Sequence, residues 1–175
     1  VKKKNGIWTF LAITIILMIL SACTHHITPV EYPVDPLMIP EFSGNNPIKI
    51  NNAQQQTEEI LLGTNIGHQF RGKLIEFTDT AIATLKTELD KRGIPITNDA
   101  EKVLNLCVTK VNFKSRFTGF WCDVEIKVET GDGYIAQVDG HDSNAWILFP
   151  AIHGALNHAV VAVLNDDKVL EYLKR

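Results

Sequence analysis

The stretch from Phe120 to Val138 constrains this chain most. Phe120, Cys122, Val124, Ile126 and Val128 alternate with Trp121, Asp123, Glu125, Lys127 and Glu129. A period of two sends one set to a core and the other to solvent, the pattern of a strand covered on one face. Gly131-Asp132-Gly133 comes next, and Tyr134, Ala136 and Val138 resume the alternation beyond it. Two alternating runs separated by so short a glycine-rich break form a tight hairpin. An antiparallel sheet with one apolar face has to be covered, and helices from the same chain are the usual cover.

The periodicity of the remaining sequence supplies that cover. Ala81, Ile82, Leu85 and Leu89 recur at three and four after Thr78-Asp79, which can cap a helix, and Gly93 with Pro95 supplies the stop. Pro150 stands where a first helical turn tolerates it, and Ile152, Leu156, Ala159, Val160 and Val163 repeat with helical spacing behind it. Asn165-Asp166 ends that helix and caps a short last one, with Val169, Leu170 and Leu173 facing inward. An early run, Pro47 to Asn51, reads as a strand, and a polar stretch from Asn52 to Glu59 comes after it. Residues 103–113 are apolar on both faces, which predicts a strand sheltered on two sides or one of uncertain register. The fold class expected is α+β: an antiparallel sheet of three to four strands, two main helices packed on one face, and a short C-terminal helix. Val160 and Val163 are expected in the sheet contact, with Leu170 and Leu173 closing its edge.

The N-terminus carries a different signal. Lys2-Lys3-Lys4 precede an apolar run from Ile7 to Leu20, and Leu20-Ser21-Ala22-Cys23 closes it with small residues. This is the three-part layout of an export signal, with Val1 read as a literally translated GTG start. The run is too short to cross a bilayer comfortably, which takes about 20 apolar residues. Leu-Ser-Ala-Cys resembles the lipobox of bacterial lipoproteins, which implies cleavage before Cys23 and lipid attachment at Cys23. Four of the seven prolines, Pro29, Pro33, Pro36 and Pro40, then fall before Gly44. They predict an extended tether, reaching up to about 60 Å from the lipid at about 3 Å per residue. The organisation expected is therefore a signal peptide over 1–22, a lipidated cysteine and tether over 23–44, and one domain over 45–175. No run after Cys23 is expected to approach spanning length, so the acyl chains alone would provide the membrane contact. Removing residues 1–22 leaves 14 basic against 20 acidic side chains, a net charge of −6. With no cluster of Lys and Arg, a nucleic-acid partner is not expected.

Several motifs invite a chemical reading and fail it on context. Gly131-Asp132-Gly133-Tyr134-Ile135-Ala136 has the spacing of a dinucleotide fingerprint, but Tyr134 to Val138 alternates as a strand, where a fingerprint requires a helix N-terminus. His141-Asp142-Ser143 holds the residue types of a hydrolase triad, yet neighbours on a strand point to opposite faces. His153 and His158 are five apart on a helix, about 140° around its axis, and cannot share a metal. His25-His26 offers two imidazoles, half a tetrahedral site, and reads as a solvated linker pair. Cys107 and Cys122 could bridge in an oxidising compartment. With a turn near Phe117 to Gly119, however, antiparallel partners sum to about 235 and this pair sums to 229, which favours two small buried thiols. No catalytic, cofactor or metal residue is expected; the site residue expected is Cys23.

Three stretches carry a family likeness: Ile48-Lys49-Ile50-Asn51-Asn52-Ala53-Gln54-Gln55-Gln56-Thr57, the helix exit Lys91-Arg92-Gly93-Ile94, and Ala159 to Leu173. Together they resemble the YajG family of uncharacterised lipoproteins, across most of residues 46–174. The resemblance implies an α+β periplasmic domain on an outer-membrane lipid anchor and brings no reaction with it. Thr24, beside the anchor, is not the aspartate of an inner-membrane retention signal. The function expected is a non-enzymatic envelope protein that binds another envelope component. The alternative is an accessory lipoprotein of an envelope transport system handling a small or lipidic ligand, which requires an apolar pocket between helices and sheet.

Overall fold

A computed structural model describes residues 23–175, so the expected signal segment, 1–22, lies outside the described residues. The elements in chain order are β1 (Thr24–His26), β2 (Ile48–Asn52), β3 (Glu59–Asn65), β4 (His68–Lys73), α1 (Leu74–Asp90), β5 (Lys102–Arg116), β6 (Gly119–Thr130), β7 (Ile135–Asn144), α2 (Leu148–Asn165) and α3 (Asp167–Lys174). The strands make a four-stranded sheet, β2-β5-β6-β7, and a three-stranded one, β1-β4-β3. The fold is α+β, with two main helices on one face of the larger sheet and a short helix at the C-terminus. Two features go beyond the expectation. β2 joins β5 in parallel, which the long connection through β3, β4 and α1 makes possible. The second is the smaller sheet, which local spacing does not reveal: β3 mixes polar and apolar residues, and its pairing with β4 shifts register between Leu61 and Gly63.

The β6–β7 hairpin forms as its alternation requires, with Ile126 opposite Val138 and Val128 opposite Ala136. Strand β5 resolves differently from the two-sided strand expected. Leu104, Leu106 and Val108 are buried before a bulge, and Val111 and Phe113 after it. One extra residue shifts the buried set from even to odd numbers, so a single apolar face looks apolar on both sides when read as a strict alternation.

Helix α1 starts at Leu74, four residues before the expected cap. Thr78 is instead buried inside the helix, where its hydroxyl donates to the Leu74 carbonyl at 2.9 Å and accepts from the Val108 amide at 3.0 Å. It ties α1 to the bulge of β5. The expected stop is in place: Gly93 has φ +74°, Ile94 N–H reaches the Leu89 carbonyl and Gly93 N–H the Asp90 carbonyl. That is a Schellman end, closed by the buried Ile94.

Ile152, Leu156, Ala159, Val160 and Val163 of α2 are all buried. By length and composition α2 could cross a membrane, contrary to the expectation for residues after Cys23, but 61% of it is buried in the protein. It lies so close to β7 that a Cβ on Gly140 would stand 2.1 Å from the Ala155 carbonyl oxygen and 2.2 Å from the Ala159 nitrogen. Asp166 caps α3 as expected, accepting from the Lys168 and Val169 amides. Val169, Leu170 and Leu173 are buried, and the Tyr172 hydroxyl accepts from Val103 N–H on β5 and Gly131 N–H in the β6–β7 turn.

Residues 23–44 do not form a free tether. Ile27, Val34 and Ile39 are buried core residues. Asn157 holds the Tyr32 carbonyl at 3.0 Å, and Asn165 holds that of Met38 at 2.9 Å. Proline removes backbone donors from this segment, yet its carbonyls and apolar side chains still find partners on α2, so the chain wraps the domain without strand pairing beyond β1.

Candidate anchoring site

Cys23 is solvent-exposed, and its carbonyl accepts from Gln69 N–H at 2.9 Å. From Thr24 onward the chain is the edge strand β1, parallel to β4, with Thr24 opposite Gln69 and His26 opposite Arg71. The Cys23 position is thus fixed to the small sheet. Alternation along β1 separates the two imidazoles that the sequence presents as a pair. His25 Nε2 lies 2.8 Å from His68 Nδ1, and its ring stacks on Phe70 with centroids 5.0 Å apart. His26 Nδ1 lies 2.8 Å from Glu59 Oε1. The His25–His68 bond needs one ring nitrogen to donate and the other to accept, so it exists only while one imidazole is neutral. His68 and Glu59 are not legible as site residues in the sequence because β3 and β4 are not; the one local signal is Asn65-Ile66-Gly67-His68 as a two-residue turn.

The other residues singled out in the sequence are dispersed. His141 lies on the solvent face of β7 and pairs with Asp123 of β6 at 2.8 Å, while Asp142 points to the helix face, against Gly154. The two are not brought together, as alternation requires. His158 bonds the His141 carbonyl at 2.6 Å. His153 is buried beneath Tyr32, rings 5.5 Å apart, and burial lowers its pKa. Gly131 to Gly133 form the hairpin turn, with Gly133 N–H on the Thr130 carbonyl. Cys107 faces Lys127 and Cys122 faces Phe113, so both are free thiols, as the register predicts, but only Cys122 is buried; Cys107 is half-buried, because before the bulge the odd-numbered residues of β5 lie on the other face. Burial, with Asp123 and Asp142 nearby, pushes the Cys122 thiol up to about 12. It is un-ionised and inert at neutral pH. Among the described residues no group of three or more His, Cys, Asp or Glu could hold a metal.

A buried charge cluster closes α1. Glu88 is 2% exposed, with Lys91 Nζ at 2.7 Å and Arg92 Nη1 at 2.8 Å. Burial works to raise its pKa, but the hydrogen bonds and charges of these two cations outweigh that and hold the carboxyl below its ordinary value. Arg92 also lies over the Phe42 ring at 5.3 Å. The cluster borders a cleft of about 730 Å³ between α1 and the N-terminal wrap, walled by Ile39 and Phe42 among others. The cleft is not between helices and sheet.

No family model matches this chain, and no curated protein matches it in sequence. Among solved structures, a Xanthomonas campestris protein assigned to family DUF330 is similar over 87% of this chain and 95% of its own, with a TM-score of 0.47 and 11% identity. Lipoprotein GNA1162 from Neisseria meningitidis is similar over 57% of this chain and 84% of its own, with a TM-score of 0.38 and 9% identity. A PelC dodecamer subunit from Paraburkholderia phytofirmans is similar over 77% of this chain and 91% of its own, with a TM-score of 0.34 and 16% identity.

Proposed function

We propose that this chain is a bacterial lipoprotein, cleaved before Cys23, acylated there, and held on the periplasmic side of the envelope at the outer membrane. The observation that carries the reading is the junction at Cys23. Before it stand three lysines, the apolar run and Leu20-Ser21-Ala22; after it the chain enters the folded domain at once. Exposure leaves the thiol accessible to a diacylglyceryl transferase. The domain acts by binding, with another envelope protein as its partner, and not by catalysis. The residues whose types suggest chemistry serve as cross-strand pairs, turn residues and packed rings, which supports that view. The resemblance to the YajG family points the same way and rests on the residue stretches 48–57, 91–94 and 159–173. The alternative reading, an accessory lipoprotein of a transport system with a small or lipidic ligand, requires an apolar pocket between helices and sheet, and the cleft beside Phe42 and Arg92 does not lie there.

The test is metabolic labelling with palmitate. Cys23→Ser should abolish labelling and leave uncleaved precursor; labelling equal to that of the parent protein would refute the proposal.

A further inference from the structure

Three turns meet at one end of the molecule. The β3–β4 turn presents Ile66, the β5–β6 turn presents Phe117, and the loop from β7 to α2 presents Trp146 and Ile147. Ser115 Oγ donates to Asn65 Oδ1 at 2.9 Å, which joins the first turn to the second. A Cβ on Gly119 would lie 2.7 Å from Ala145 Cα, which joins the second to the loop. Three of the four most exposed large hydrophobics among the described residues sit here: Phe117, fully exposed, Ile66 at 93% and Trp146 at 88%. Ile66 also has φ +42°, a left-handed conformation that a β-branched side chain adopts at a cost. Neither burial nor backbone preference accounts for isoleucine there.

Cys23 lies at the same end. Its carbonyl bonds Gln69, one residue from His68, which comes directly after the Ile66-Gly67 turn, and His25 touches His68. A residue spans at most about 3.6 Å, so acyl chains on Cys23 bring the bilayer to this end and no other. Charge agrees. In a mature chain of net charge −6, the segments 23–25, 65–68, 114–121 and 143–149 contain no Asp or Glu, and they carry Lys114 and Arg116. Aromatic and aliphatic tips beside cations, with no carboxylate among them, suit an anionic phospholipid surface.

We propose that this end docks on the membrane, with Ile66, Phe117, Trp146 and Ile147 inserted among the lipids around the anchor, so that the domain is held in one orientation rather than hanging free. The proposal rests on lipidation at Cys23. Acyl chains alone would leave the domain free to tilt, whereas apolar tips at the interface add buried area on the side where the anchor leaves.

The mature, lipidated protein carrying Trp121→Phe retains Trp146 as its sole tryptophan, since Trp8 leaves with the signal. Circular dichroism checks that it folds. It is reconstituted in vesicles of phosphatidylethanolamine and phosphatidylglycerol, plain or brominated at shallow acyl positions. Interfacial insertion reaches about 5–10 Å into the headgroup and acyl boundary, so Trp146 emission should fall about twofold in the brominated vesicles. Phe117→Glu, on a fully exposed turn, should restore part of that emission. Equal brightness in both vesicles would overturn the docking, and so would protection of Trp146 from both bromine and aqueous iodide, which would mean that a protein covers this end. Mass spectrometry of the same sample reads acylation separately. Acylated Cys23 without quenching defeats the docking alone; unmodified Cys23 defeats the anchor on which the docking rests.

Discussion

Gly140 determines how closely α2 lies on β7. It occupies the helix-facing side of its strand, opposite Val124, and the backbone of α2 at Ala155 and Ala159 fills the space a side chain would need. A methyl group there meets backbone atoms, which cannot rotate away as a side chain can. Gly140→Ala should therefore displace α2 and cost roughly 3 kcal/mol, the upper part of the usual overpacking range. For a domain of this size that lowers Tm by about 6–12 °C, measured by thermal melting with circular dichroism. An unchanged Tm would mean that the helix is not seated on this glycine. The approach is not legible in the sequence, where Gly140 is in phase with Ala136 and Val138 and nothing local says what lies over it. Thr78 carries the same lesson. A threonine before an aspartate has the composition of a helix cap, but its hydroxyl is used twice inside the core, and only the position of β5 decides that.

At the scale of elements, periodicity is the reliable guide where one face is buried. The β6–β7 hairpin, the buried stripe of α1 and the apolar face of α2 all emerge from spacing, because a long element with one buried face must repeat its apolar residues at the period of its backbone. Strand β5 resists because its bulge breaks that period, and β3 and β4 resist because short strands beside a register shift offer too few repeats. The last element offers a direct test. Val169 and Leu173 are buried, and the Tyr172 hydroxyl satisfies amides on β5 and in the β6–β7 turn. Each large buried aliphatic group is worth roughly 2–5 kcal/mol. A chain from Cys23 ending at Asn165 should lose several kcal/mol against the about 5–15 kcal/mol of a typical domain. It should melt far below the chain ending at Arg175, or fail to fold. Coincident melts would show that α3 is not core and is free to engage a partner.

For the whole molecule, the decisive departure from expectation is the N-terminal wrap. An extended tether and a packed strap make opposite predictions for the same residue. Ile27 is fully buried, with its carbonyl 2.9 Å from where a Cβ on Gly72 would stand. Ile27→Ala should cost about 2–5 kcal/mol if the strap is core, whereas a free tether would register nothing. Leu37→Ala, in the same segment but 93% exposed, should stay within about 0.5 kcal/mol of the parent. Urea melts of the two variants read the difference. A strap seated on α2 and a first strand joined to β4 leave no slack between Cys23 and the domain, so an anchor at Cys23, as proposed, would keep the end bearing Ile66, Phe117 and Trp146 next to the lipid.

What the sequence determined by itself was what local spacing can encode: the hairpin, the helical stripes, the capping Asp166 and the α+β class. Each depends on neighbours within one or two turns of chain, so their physics is present in the order of residues. The tertiary structure alone decided the rest. Whether the proline-rich segment hangs free or packs, which side of β5 is buried, and which turns share an end with Cys23 depend on contacts between residues far apart in sequence. Those contacts exist only once the sheet and helices have met. Proline content states what a backbone cannot donate, but not whether Ile27, Val34 and Ile39 will find a surface to cover.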